Sequence, residues 1–327
     1  VVLHDFSGPS STMNLPTTSP HRHYEGFGLS IEAVEKIAAA GAKLIITIDC
    51  GTTSHEAAEK ARELGVDVII TDHHEAKVDA DGALDLPPAV AVVNPKVGDT
   101  YPFAGLCGAA VVFKLAEALL VRGQESGQFT LTPGWEKWWL DMVGIATIAD
   151  MVPLTGENRI LAHYGLQVLR KSRRPGLQQL LRKQRVQQQY VSEDDIGFTI
   201  GPRINAASRM DTPEDAFHLL ATTDEGEAGA RVEHLEKLNN ERRGQVAAMT
   251  KEVHKRLKDN TDIPPVLVLG NPDWRPALVG LVANKLTEEY SRPAFLWGRD
   301  GNGNFKGSCR SDGKVSVVKL MEAAADT

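Results

Sequence analysis

Cysteine is scarce in this chain. Its 327 residues include only Cys50, Cys107 and Cys309, with no CxxC pair. That excludes a disulfide framework and a four-cysteine zinc site, and it fits a reducing compartment. No apolar run is long enough to span a bilayer, and no segment has the layout of a signal peptide. A cytoplasmic protein without membrane contact is therefore expected. Excess positive charge is also missing. A formal net charge of -7 argues against a generally basic nucleic-acid coat, while leaving a local basic groove open. Neither an internal repeat nor a low-complexity segment is present. What remains is an ordinary globular composition, 42% hydrophobic and 24% charged, on a chain long enough for two domains.

After an irregular Ser-, Thr- and Pro-rich opening that follows "VVLHDF", the pattern becomes regular. Residues 31–40 and 54–64 have helical periodicity, while "KLIITID", "VDVIIT" and 89–93 read as buried strands. Strand, helix and strand at this spacing form a βαβ unit, whose strands are parallel. Helices are expected at 104–121, across 161–189 with a break at "RRPG", and at 215–221. Residues 135–149 form an apolar stretch that periodicity does not settle. A proline-free helix over 225–258 carries a thin apolar stripe, Leu235, Leu238, Val246, Met249 and Val253, as expected of a helix bridging two domains. A second α/β pattern follows, with strands at 265–269 and 293–297 around a helix at 277–290. The fold class is thus α/β, a parallel-sheet domain joined by a long helix to a smaller α/β domain. The boundaries fall at 1–222, 223–258 and 259–327.

"VIITDHHEA" ends a strand in residues able to bind a metal or move a proton. Asp49 follows "KLIITI" and Asp72 follows "VIIT". If the two strands are parallel neighbours, both carboxylates sit at the carboxyl edge of the sheet, where open α/β sheets bind ligands. His73 and His74 adjoin Asp72, and imidazole with carboxylate suits manganese, zinc or iron. Taken alone, the tripeptide reads more readily as a solvated loop; the second aspartate reverses the balance to a metal site. Asp150 in "GIATIADMVPL" is either a third ligand or a helix-end residue.

"TDHHE", with "TIDCGTT" upstream and "ATIADMVPLTGENR" downstream, resembles the DHH phosphoesterase superfamily. "GPRINAASRM", "LNNERR", "NPDWRPALVGLVANKL" and "FKGSCRS" narrow the resemblance to the bacterial RecJ family of single-strand-specific DNA exonucleases. It runs in order from about residue 21 to the end. The resemblance implies two ions, Mn2+ or Mg2+, with Asp49, His73 and Asp150 as ligands. Asp72 would support the histidines and His74 would face the scissile phosphate. Two ions about 3.5–4 Å apart activate water and neutralise charge on the attacking and leaving oxygens.

"GPRINAASR" offers Gly and Pro to shape a tight loop, then Arg203, Asn205 and Arg209, and arginine forks match phosphate oxygens. From chemistry alone these arginines could equally pair with nearby carboxylates; the resemblance favours substrate contact. "GSCRS" reads either as an ordinary turn or, by the resemblance, as a backbone-binding element presenting Ser308, Arg310 and Ser311. The basic stretch Arg170, Lys171, Arg173, Arg174, Arg182, Lys183 and Arg185 is able to line a single-strand groove, but reads more readily as a solvated helix face. Trp135, Trp138 and Trp139 suggest a base-stacking platform, but their near-helical spacing favours a core or domain contact.

The resemblance has gaps. An Asp-x-Asp-x-Asp-Gly type motif should follow the first strand, and only Asp5 matches its start. The family's Gly-Gly-His segment is not reached, which implies a C-terminally truncated second domain. The expectation is that segments are missing around the first motif. The resemblance implies a 5′-to-3′ exonuclease for single-stranded DNA in repair and recombination, a monomer that works beside replication or repair proteins. Two alternatives are a phosphodiesterase for short oligonucleotides or cyclic dinucleotides, and an inactive nucleic-acid-binding scaffold that has lost metal ligands.

Overall fold

The computed structural model describes residues 2–3, 28–79, 81–98, 101–128, 130, 132–258 and 263–325. These residues form two compact units: 2–3 and 28–204 with 214–232, and 205–213 with 233–325.

In the first unit, β1 (Val2–Leu3) lies antiparallel against β2 (Leu44–Ile48). Helix α1 (Ile31–Ala39) precedes β2, and its N-cap Ser30 accepts the Ala33 N–H. Helix α2 (His55–Glu63) crosses over from β2 to β3 (Asp67–Thr71). A short hairpin, β4 (Lys77–Val78) with β5 (Leu84–Asp85), then leads to β6 (Ala91–Val93). The sheet order is β1-β2-β3-β6, parallel throughout except at β1. Alternation along β2 and β3 buries Ile45, Val68 and Ile70 against Val34 and Ile37 of α1 and Ala57 and Ala61 of α2. Small alanines on α2 let the helix lie close to the branched strand residues, which favours both elements together.

The rest of the unit is helical. It comprises α3 (Gly108–Glu125), a 3-10 turn at Trp135–Trp139, α4 (Leu140–Ala149), α5 (Gly156–Leu169) and α6 (Pro175–Lys183). The stretch whose periodicity was ambiguous becomes a helix because Val143 joins Ala110, Val111, Phe113 and Leu161 in one core, with Trp139 packed against it. Pro175 opens α6 at a position where its missing N–H costs nothing, which accounts for the break at "RRPG".

A π-helical segment at Asp195–Ile200 runs directly into α7 (Gly201–Met210). "GPRINAASR" is therefore helix, not a tight loop. Gly201 N–H donates to Ile196 O with five-residue spacing, and Pro202, lacking an N–H, sits where the ladder changes spacing. Helix α8 (Glu214–Ala221) precedes α9 (Glu225–Lys258), the proline-free helix expected between the two α/β patterns. Its buried positions Ala228, Val232, Leu235, Val246, Met249, Val253 and Leu257 recur at helical spacing.

The second unit holds β7 (Leu267–Gly270), α10 (Pro276–Tyr290), β8 (Ala294–Arg299), β9 (Phe305–Arg310) and α11 (Val317–Ala324). β7 and β8 are parallel, and β8 and β9 antiparallel. Ser308 and Arg310 lie inside β9, because pairing with β8 extends as far as Ala294 opposite Arg310. Among the described residues, no helix is long and apolar enough to cross a membrane.

Candidate metal centre

Three neighbouring parallel strands end in register, Ile48 beside Thr71 and Thr71 beside Val93. The next residue on each is polar: Asp49, Asp72 and Asn94. Asp49 has a left-handed backbone, φ 62°, which aspartate tolerates better than most residues. Its N–H still donates to Thr71 O at 2.9 Å. Gly108, at the start of α3, makes this possible: a Cβ there would lie 2.3 Å from Asp49 Oδ1. Glycine thus lets the positive end of α3 approach the carboxylate.

Asp72 is only 1% exposed. Its Oδ2 accepts from Thr52 N at 2.9 Å. Its Oδ1 accepts from His73 N at 2.7 Å, from His74 N at 3.2 Å and from His74 Nδ1 at 2.7 Å. Burial opposes ionisation of this carboxyl, but donors from Thr52, His74 and His73 outweigh it and hold it at about 2. An ionised Asp72 can only accept, so His74 carries its proton on Nδ1 and leaves Nε2 to face outward. The His74 side chain is 62% exposed. Asn94 Nδ2 donates to Thr52 Oγ1 at 3.0 Å and to His74 O at 2.9 Å, which fixes the tripeptide from behind.

His73 turns the other way. Its Nε2 is 2.9 Å from Asp49 Oδ1 and 3.7 Å from Asp150 Oδ2. Asp150 caps the C-terminus of α4, where Met151 turns the chain with φ 58°. The hydrogen bond that His73 donates to Asp49 raises the pKa of the imidazole against the pull of burial. Burial raises that of Asp150, with His73 opposing and Asp49 adding to the rise. Two carboxylates crowded round one imidazole are what a cation relieves. Ligands about 2.1 Å from an ion lie about 3 Å apart when adjacent in its shell, close to the separations found here. The donor set of one imidazole and two carboxylates therefore fits a manganese-type ion. Asp49, His73 and His74 also offer donor atoms within 4.8 Å of one another. Burial, then Asp72 and Asp49, push the neighbouring Cys50 thiol up to about 11. Asp5 lies outside the described residues.

The residues singled out for phosphate contact fall in two places. Arg203, in the first unit, is buried and its Nη1 donates to Thr199 O at 2.8 Å. In the second unit Asn205 is exposed, and Arg209 Nη1 donates to Ala277 O at 2.8 Å. Arg310 Nη1 donates to Ser308 Oγ at 3.0 Å and to Cys309 O at 2.7 Å. Both side chains lean on α10, where a Cβ at Gly280 would stand 2.8 Å from Ser308 Oγ. Ser311 Oγ donates to Val315 O.

Sequence reasoning missed Thr52, Asn94 and Gly108. Asn94 carried a usable signal, since it follows the third strand as Asp49 and Asp72 follow the first two. Thr52 and Gly108 carried none, because their roles exist only through contacts distant in sequence.

The chain matches the family model "DHH family, N-terminal domain" over residues 2–147 and the "DHHA1 domain" over 264–327. It is 39% identical to the single-stranded-DNA-specific exonuclease RecJ of Bacillus subtilis, across 94% of this chain and 37% of that protein. To the Escherichia coli protein of the same name it is 36% identical, across 91% of this chain and 52% of that one. It spans roughly a third to a half of these curated relatives. A crystal structure of exonuclease RecJ bound to manganese superposes with a TM-score of 0.75 at 33% identity, covering 94% of this chain and 72% of the other. RecJ from Thermus thermophilus in complex with Mn2+ gives the same score and identity, over 91% and 42%.

Proposed function

This chain belongs to the RecJ family of DHH proteins, and on that premise we propose that it hydrolyses single-stranded DNA from the 5′ end with Mn2+ or Mg2+. The observation that carries the reading is the convergence of Asp49, His73 and Asp150 on one point at the sheet edge. A chain reduced to a scaffold would have no need to keep that cluster, nor the buried Asp72 behind it.

In this reading Asp49, His73 and Asp150 hold an ion, and Asp5 is the first candidate for a second. Bound divalent cations make water more acidic and neutralise charge on the scissile phosphate. The chain's own part is positional. Asp72 sets the His74 tautomer and keeps its outer nitrogen turned to solvent, where it can contact a phosphate oxygen. Asn205, Arg209, Ser308, Arg310 and Ser311 are assigned to the DNA backbone. The burial of Arg203 supports a role in holding the start of α7. The same reading divides the chain into a catalytic domain at 1–222, a connecting helix at 223–258 and a nucleic-acid-binding domain at 259–327. It places the protein in the cytoplasm as a monomer beside replication or repair proteins.

The test is digestion of a 5′-phosphorylated single strand with manganese, beside Asp49→Ala. The expected result is mononucleotide release by the wild type, reduced at least about 100-fold in the variant. Equal digestion by both, or equal cleavage of single strand and duplex, would overturn the reading.

A further inference from the structure

Asn158 to Ser192 holds eight of the chain's 36 Lys and Arg residues and none of its 43 Asp and Glu residues. In the structure this segment is α5, its turn into α6, and a return that brings residues 188–191 back to the end of α5. Gln188 Nε2 donates to Leu169 O at 3.0 Å and to Ser172 O at 2.7 Å, and Arg170 Nε donates to Val191 O at 2.9 Å. Among the described residues, Lys171, Arg173, Arg182 and Arg185 are exposed and make no ion pair. A merely solvated helix face usually intersperses both signs; unrelieved like charge in an acidic protein is complementary to a polyanion.

The turn also borders a cavity of about 420 Å³, lined in part by Trp138, Asp141, Ser172, Arg173, Arg174 and Thr222. That volume lies within the range of small-ligand sites. Trp138 is 49% exposed, although its neighbour Trp139 packs into the core. The acidic member of the wall is already neutralised. Asp141 is buried and accepts from Arg174 Nε at 2.9 Å, Ser172 Oγ at 2.8 Å and Met142 N at 2.7 Å. It fixes the turn and leaves Arg173 to ligands. Sequence reading took the basic stretch as solvated surface and the tryptophans as packing; the cavity joins one member of each.

We propose that this turn is a second single-strand subsite, with a base stacked on Trp138 and phosphates taken by Arg173 and Lys171. Exposed aromatic faces beside cations are how strands are held without sequence preference. The inference rests on the reading of the chain as a single-strand DNA hydrolase. Helix α4 sets the distance: Asp141 stands near its start and Asp150 at its end, about 14 Å apart along the axis. That length spans about four stacked nucleotides. The subsite therefore acts on strands longer than this and is not felt by shorter ones.

The experiment is fluorescence anisotropy of 3′-labelled oligothymidylates, one long and one trinucleotide, in EDTA so that no strand is cut. Lys171→Gln/Arg173→Gln should lower the slope of log affinity against log salt by about 1.4 for the long strand. Trp138→Ala should weaken its binding at least about fivefold, while Trp138→Phe retains most of it. Trinucleotide binding should stay as in the wild type, and Arg62→Gln/Arg122→Gln, which removes two exposed charges elsewhere in the first unit, serves as the charge-matched control. Variants with wild-type melting temperatures that bind the long strand with unchanged affinity and slope overturn the subsite, as does an equal loss for the trinucleotide. A wild type that binds no strand overturns the subsite, whereas one that binds the long strand in EDTA but leaves it uncut when manganese is restored overturns the hydrolase reading alone, so the two failures are distinguishable.

Discussion

At the residue scale, the site depends on side chains whose work is to leave room or to hold still. Gly108 is the clearest case. Gly108→Ala would drive a methyl group into the Asp49 carboxylate, so the proposed ligand must rotate away. The expected result is a loss of manganese affinity of about 10–100-fold, read by calorimetric titration, because displaced support costs about that much at metal sites. Asp72 works by accepting from all sides. Asp72→Asn keeps the shape but presents an amide N–H2 to donors such as Thr52 N–H or His74 Nδ1. Stability should fall by about 1–3 kcal/mol in chemical denaturation, the cost of a buried polar group left unmatched.

At the element scale, Glu252 ties α9 to the segment between β7 and α10 within the second unit. Its carboxylate accepts from Trp274 Nε1 at 3.0 Å and from Asn271 Nδ2 at 3.1 Å, and pairs with Arg256. The Arg256 guanidinium lies over the same indole, 5.4 Å from the ring centroid. Burial pulls Glu252 upward, but Trp274, Asn271 and Arg256 together hold it below its ordinary 4.5. A carboxyl lowered by folding contributes stability above 4.5, and that contribution disappears as pH falls through the lowered value. Wild type and Glu252→Gln should therefore differ in melting temperature at pH 6 and converge toward pH 3. A gap that persists unchanged at low pH would show that the bond network, not the charge, holds the joint.

At the scale of the whole molecule, the proposed ligation links metal binding to folding. Asp49 and His73 come from the ends of β2 and β3, whereas Asp150 comes from the far end of a helix about 80 residues further on. An ion that joins them stabilises the folded first unit by about 2.7 kcal/mol at a concentration 100 times its dissociation constant. Manganese should raise the melting temperature of the wild type, and EDTA should reverse the rise. Asp49→Ala/His73→Ala should show neither effect; a rise in that variant equal to the wild type's would place the ion elsewhere.

The parallel strands, the bridging helix and the carboxylate pair at the sheet edge were legible in the sequence, because each depends on local periodicity. Alternating apolar residues make "KLIITI" and "VIIT" strands, and the crossover length makes them neighbours, so Asp49 and Asp72 had to share an edge. Other features became visible only through contacts between distant segments. "GPRINAASR" reads as loop from its Gly and Pro, yet it is helix because a π-helical segment runs into it. Asp72 and His73 are adjacent in sequence, yet one is sealed behind the sheet edge and the other reaches across to Asp150. The direction each side chain takes is decided by which donors surround it, and those arrive from Thr52, Asn94 and α4. Local pattern thus determined what the elements are and where the acids stand, while only tertiary packing decided which of them converge at the sheet edge and which are sealed behind it.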